Sequence, residues 1–272
     1  MNFKEEIENF VIIGFKNNNI PLITNSKHNF VLKCTTENFI TLPPINFKYH
    51  RWAGSLKSSQ AFAYNVFSGI NNSTLQFEFP MEVFDRDAQI DVKFEDLKSQ
   101  TIELFEVKAF EINSISKNRI LFEQKYFTKT EYKRSDIAEQ FMGFIKTVIK
   151  KYENQNIYGG GIKQLCSHLL GIINIMNKPQ YINKKFKLYS FCLDNPFYNK
   201  FEQNVSNYKE TLITFKNLVD EFLQEIKVDD RVEYCGFISA SEYIIKNKNL
   251  LGKENYDYVL KRYISNNFQF PL

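Results

Sequence analysis

The chain carries one tryptophan, three histidines and four cysteines in 272 residues. Each scarcity closes off a kind of chemistry. Cys34, Cys166, Cys192 and Cys235 stand far apart, with no CxxC or Cys/His spacing. That excludes a zinc ribbon and a disulfide framework, so they read as buried thiols in a reducing cytoplasm. His28, His50 and His168 stand alone in sequence, with no Ser/His/Asp arrangement around them. No apolar run approaches the roughly 20 residues of a membrane span. The opening residues MNFKEEIENF carry acids where a signal peptide would carry a basic and then an apolar run. The expected location is therefore cytoplasmic, where the Asn72-Ser73-Thr74 sequon has no meaning. Seven prolines and ten glycines form no linker or low-complexity tract. Charge of one sign is also modest. A net charge of +4 is compatible with a nucleic-acid partner but too small for a protein that coats DNA.

Apolar and aromatic residues are abundant. Hydrophobic residues make up 43% of the chain, with 27 Phe and 15 Tyr, ample for a sizeable core. We read residues 1–272 as one domain. Residues 1–50 form an N-terminal extension, 55–240 a core, and 241–272 a set of C-terminal helices.

The stretch Ala88–Glu111, AQIDVKFEDLKSQTIELFEVKAFE, organises the rest. Ala88, Ile90, Val92 and Phe94 alternate with Gln89, Asp91 and Lys93, the period of a half-buried strand. In the next strand Ile102, Leu104, Glu106 and Lys108 share a face. Side chains two apart on a strand stand roughly 6.6 Å from each other, so Glu106 and Lys108 can act on one point. The linker Glu95–Gln100 has hairpin length, and pairing could bring Asp91 beside Glu106. Two carboxylates on a rigid sheet suit a hard cation such as magnesium. A lysine beside them can position a metal-activated water, the equipment for phosphodiester hydrolysis. The bland alternative is a solvated Glu/Lys pair on a strand face.

Asp91…Glu106-Val107-Lys108 resembles the Asp…Glu-x-Lys signature of the PD-(D/E)XK nuclease superfamily, the fold of most type II restriction endonucleases. Ile90 stands where the signature has proline. RWAGSLKSSQAFAYNVF, Arg51–Phe67, is similar to an L-x-SSQAfAfNlF helix upstream of the catalytic strands in a group of bacterial PD-(D/E)XK endonucleases. That group also carries Glu-x-Lys-x-x-Glu, matched by Glu106, Lys108 and Glu111. The resemblance spans about Leu56 to Leu170. It implies an α/β restriction-endonuclease-like fold, a central mixed β-sheet flanked by α-helices. It also implies Mg²⁺ held by Asp91, Glu106 and the backbone carbonyl of Val107, with Mn²⁺ as a substitute and Lys108 positioning the water. Double-stranded DNA would be the substrate, a homodimer the assembly, and a cognate DNA methyltransferase the companion of a restriction system. The alternatives are a repair, recombination or RNA-processing nuclease, or a non-catalytic DNA-binding module on the same fold.

Four further side chains are candidates for supporting roles. Gln60 lies on the polar face of the helix Leu56–Ile70, with Ser58, Tyr64 and Asn65; that face is either solvated or beside the site. Glu82 could supply another carboxylate, or simply be exposed. Glu111 lies an odd number of residues from Lys108, so it joins the site only if the strand ends near Ala109–Phe110. Gln164 is the candidate for the glutamine that some superfamily members place on the helix behind the site, whereas His168 reads as a hydrogen-bonded structural histidine. The glycines at 159–161 lack the GK[ST] of a phosphate loop and read as a helix entry.

The remaining periodicities predict helices over Asn2–Lys16, from Asp136 (with a capping box to Glu139) to Tyr152, and over Tyr208–Ile226, Ser241–Lys246 and Glu254–Ser265. Strands are expected at Phe30–Cys34, Thr74–Phe79, Phe186–Leu193 and Val232–Ile238. This order fits a mixed sheet covered on both faces. Lys178–Lys187 and Arg231–Glu233 are candidate DNA-reading segments.

Overall fold

The second strand of the expected hairpin is buried along almost its whole length, charged residues included, and the helices on either side explain why. The computed structural model describes residues 3–18, 35–50, 53–55, 57–113, 120–153, 155–194 and 199–264. Five strands form one sheet in the order β1 (Gln76–Glu82), β2 (Asp87–Asp96), β3 (Thr101–Lys108), β4 (Lys185–Cys192) and β5 (Val232–Ser239). The first three pair antiparallel. β3, β4 and β5 pair in parallel. Parallel neighbours need long crossovers, and the chain supplies them as helices. Between β3 and β4 lie α3 (Ala138–Tyr152) and α4 (Gly159–Ile175). Between β4 and β5 lies the 27-residue α5 (Asn199–Glu225).

Neighbouring residues of one strand point to opposite faces, so β3 shows which helix covers which side. Phe105 packs on Phe67 of α2 (Ser59–Phe67), ring centroids 5.1 Å apart. Glu106 meets His168 of α4. Helices therefore cover both faces. Tyr243 of α6 (Ala240–Lys246) joins the α2 side through Phe191. Phe215 of α5 joins the α4 side through Tyr234. The alternation in β2 predicts one wet face. The structure instead buries Asp91 and Lys93 with Ile90, Val92 and Phe94, because helices cover both faces of the sheet. The fold class is thus α/β, a mixed sheet flanked by helices, as expected.

The polar face of α2 is also buried. Asn65 donates to the carbonyl of Asn38 (3.0 Å) and to the Tyr263 hydroxyl (3.1 Å). Asn255, on α8 (Lys253–Val259), donates to the carbonyl of Asn65 at 2.9 Å. Arg262, in the closing π turn Leu260–Ile264, is buried over the Phe15 ring of α1 (Phe3–Asn17) and donates to the carbonyl of Asn38. N-terminal and C-terminal segments thus meet on α2 and fix its position. Gly69, just past α2, sits where a Cβ would lie 1.9 Å from the carbonyl oxygen of Leu251 on α7 (Lys248–Leu251). Backbone cannot yield there as a flexible side chain would, so Gly69→Ala should cost about 3 kcal/mol in a urea unfolding experiment.

Two expectations shift in detail, and a third falls outside the described residues. The first core strand is Gln76–Glu82, not Thr74–Phe79. The capping box does not form: Ile137 is the N-cap of α3, while Asp136 pairs with Arg134 and Glu139 with Lys129. Charge pairing with nearby cations has displaced the reciprocal cap. The expected strand Phe30–Cys34, and with it His28, lies outside the described residues. Of the described cysteines, Cys166 and Cys192 are buried and Cys235 is half-buried, all as free thiols. Among the described residues no helix is long and apolar enough to cross a membrane.

Candidate active site

The hairpin β2–β3 opens where the charged residues begin. Pairing runs from Asp96 opposite Thr101 to Val92 opposite Phe105 and stops. One step further, the side chain of Asp91 replaces the ladder. Its Oδ2 accepts the backbone N–H of Val107 at 2.6 Å. A carboxylate thus sits in the fork between the strands, next to the residue that separates Glu106 from Lys108.

Strand geometry also fixes the Val107 carbonyl. The carbonyls of Gln100 and Lys108 accept from Lys185 (3.1 Å) and Leu193 (2.8 Å) on the β4 side. Val107 is an odd number of residues from both, so its carbonyl and amide face the other edge, towards Asp91.

Glu106 and Lys108 share a face of β3 and form a buried ion pair. The second oxygen of Glu106 is taken by Nε2 of His168 at 2.6 Å. The Nδ1 of that ring is buried with no protein partner. Burial pushes the Glu106 carboxyl up, but Lys108 and His168 outweigh it and hold the group at about 2. For Lys108, burial acts downward and is overcome by Glu106, Asp91 and Glu111, so its ammonium is held above the usual lysine range. Asp91 differs. Burial and then the charge of Glu106 push its carboxyl well above the usual range, against a smaller pull from Lys108. The cluster thus holds two neighbouring buried carboxylates, and its one ammonium is ion-paired with Glu106, not Asp91.

A third carboxylate adjoins them. Glu78 lies between the paired residues Phe77 and Phe79 of β1, opposite Asp91, with φ +53°. That left-handed conformation is strained for a side chain of this size and is found where surrounding contacts over-determine it. Here the contacts are Gln60, whose Nε2 donates to Glu78 Oε1, and His50, whose Nε2 bonds Oε2, each at 2.9 Å. Gln60 also accepts the backbone N–H of His50 (2.9 Å) and donates to the carbonyl of Lys48 (2.8 Å). Gln60 is therefore buried beside the cluster, on the side its helix face suggested.

The other candidates divide. β3 ends at Lys108, and the chain bends into a 3₁₀ turn at Glu111–Asn113. The condition for Glu111 to reach the site is met: its Oε2 accepts the Ala109 N–H at 2.8 Å, and its charge acts on Lys108. Gln164 is exposed and stays away from the cluster; His168, one turn later on the same side of α4, reaches over β3 to Glu106 instead. Glu82, at the end of β1, is held on the surface by Lys178 (2.9 Å) and Lys133 (3.2 Å). His50, alone in sequence, is paired in space. Sequence reasoning missed Glu78. Its one signal is a glutamate in an otherwise apolar strand, QFEFPME.

Among the described residues no three His, Cys, Asp or Glu side chains converge to hold a metal ion by themselves. Magnesium needs fewer protein ligands: one or two carboxylates, with waters completing the octahedron. Asp91, Glu106 and the Val107 carbonyl form an all-oxygen set of that kind. Each carboxylate oxygen keeps a second lone pair beyond its present partner, and a cation would offset the buried charge of Asp91. The donor set fits. No family model, curated protein or solved structure matches the chain.

Proposed function

We propose that the protein is a magnesium-dependent endodeoxyribonuclease of PD-(D/E)XK type with a restriction-endonuclease-like fold, and that its duty is restriction. The observation that carries this reading is the fork itself. Asp91 enters the sheet where β2 and β3 part, and Glu106 and Lys108 flank the amide it accepts. A solvated charge pair on a strand face, the bland alternative, does not account for three charged side chains buried together. Bound there, Mg²⁺ (or Mn²⁺) would lower the pKa of a water and offset charge building on the phosphate. Asp91, Glu106 and the Val107 carbonyl would hold the ion. Lys108, anchored by Glu106, would hold the attacking water and face the charge developing on phosphorus oxygens. His168 fixes the Glu106 carboxylate from behind. The partner is double-stranded DNA, cut by a homodimer when the target is palindromic, in a cytoplasm where a cognate methyltransferase protects the host sites.

A second reading has one observation in its favour. Both Glu106 oxygens already have partners, as in a buried ion-pair network of a DNA-binding module without chemistry. Incubation with unmethylated plasmid separates the two. Discrete fragments with Mg²⁺ and none with EDTA support restriction. Nicking confined to structured or damaged DNA, or cleavage of RNA alone, moves the duty to repair or RNA processing. Binding without cleavage of any of these supports the module.

A further inference from the structure

The histidine at the rim of the cluster is built too carefully for a surface residue. His50 is clamped at two places by two buried side chains. Gln60 accepts its backbone N–H, and Glu78 binds its Nε2. Glu78 makes that bond from a strained left-handed backbone. The His50 side chain remains 49% exposed, while that of Glu78 is 6% exposed. A buried carboxylate that fixes one nitrogen of a half-exposed imidazole leaves the other to act outward, the arrangement in which a carboxylate orients an acid–base histidine. A cleft of about 340 Å³, lined in part by Phe47, Lys48, Phe77, Glu78 and Gln89, opens beside Glu78 and leaves room for the nucleotide that carries the leaving oxygen.

We propose that His50, held by Glu78 and Gln60 at the rim of the Asp91–Glu106–Lys108 cluster, is the general acid that protonates the oxygen leaving phosphorus. The inference rests on the nuclease reading and adds a residue to it. As water oxygen bonds to phosphorus, the bond to the leaving oxygen breaks and its electron pair stays on that oxygen. The proton on His50 Nδ1 passes to it, giving an alcohol; the attacking water loses its own proton to solvent, and solvent reprotonates the ring.

The surroundings favour the charged imidazole. The bond to Glu78 raises the His50 pKa, burial opposes it, Glu106 adds to the rise and Lys108 subtracts from it. These groups face the ring from β1 and β3, and from α2 the neutral Gln60 meets its backbone.

Sulfur in place of the leaving oxygen tests the proposal, because a thiolate departs without a proton. The cleavage site is first mapped on plasmid digests, and duplexes are then made with oxygen or sulfur at the leaving position. His50→Gln should cleave the oxygen duplex about 10²-fold more slowly than the wild type, yet match the wild type within about tenfold on the sulfur duplex. Glu78→Gln, which removes the carboxylate that holds the ring charged, should move the alkaline fall of the rate to lower pH. Equal losses on both duplexes, or no loss on the oxygen duplex, overturn the general acid and leave the nuclease reading standing. A wild type that cleaves neither duplex overturns both.

Discussion

Replacing Lys108 by alanine should slow DNA cleavage by roughly 10³-fold or more, the effect of removing a preorganised charge aimed at a transition state. The same change should lower stability. Lys108 is the ammonium among the buried carboxylates of the fork, and removing one partner of a buried pair typically costs about 3–5 kcal/mol. Lys108→Met leaves Glu106 equally without its ammonium but spares the packing, so its folding is checked beside its activity. It keeps the apolar stem that packs in the site and drops only the charge. Far-UV circular dichroism of Lys108→Met should match the wild type while plasmid cleavage remains lost. Undiminished cleavage by either variant would end the nuclease reading.

Asp91→Asn should do the opposite to stability while also abolishing cleavage. The Asn oxygen can still accept the Val107 N–H, but the buried charge is gone. Without divalent cations the variant should unfold at higher temperature than the wild type, by about 1–4 kcal/mol or several degrees in Tm. The pH dependence has a definite sign. The Asp91 carboxyl is pushed up in the folded state by burial and Glu106. Between its unfolded value and its folded value the native chain therefore holds the extra proton. Stability from this group is complete below the unfolded pKa and is lost as pH rises through the folded one. Glu106, held down at about 2, acts in reverse: its contribution is present above its unfolded pKa and is lost as pH falls towards about 2. Thermal scans in EDTA from pH 4 to 8 should thus show a falling limb in the wild type that is absent in Asp91→Asn. Magnesium should restore the wild type, by about 2.7 kcal/mol at a hundredfold excess over Kd, and leave the variant unmoved. A wild type more stable than Asp91→Asn in EDTA at pH 8 would mean that the Asp91 charge is already compensated.

The loss of activity and the gain of stability have one origin. A site that concentrates like charge is costly to fold and suited to binding an ion, which is why active sites often oppose stability.

Much of this was legible in the chain. Alternation in Ala88–Phe94 and Ile102–Lys108 set out the hairpin, and the i, i+2 spacing set Glu106 beside Lys108. Helical periodicity located α3 and most of α5 because their apolar stripes are long and regular. What remained hidden depended on contacts distant in sequence. Glu78 and His50 are 28 residues apart, and their pairing needs a left-handed residue in a strand, which no local pattern marks. The resemblance points to Gln164 on α4 and leaves His168 a structural role, yet both share one side of that helix. Only the packing of α4 on the sheet decides which of them reaches Glu106. The buried polar face of α2 was ambiguous for a similar reason. Its partners, Asn38, Asn255 and Tyr263, come from both ends of the chain.

The central claim is that Asp91 and Glu106 belong to one cation site. Calorimetric titration of Mg²⁺ or Mn²⁺ into the wild type, Asp91→Asn and Glu106→Gln tests it most directly. The account expects saturable binding to the wild type and loss of that binding in both variants. Absence of binding to the wild type, or equal binding to all three chains, would contradict it.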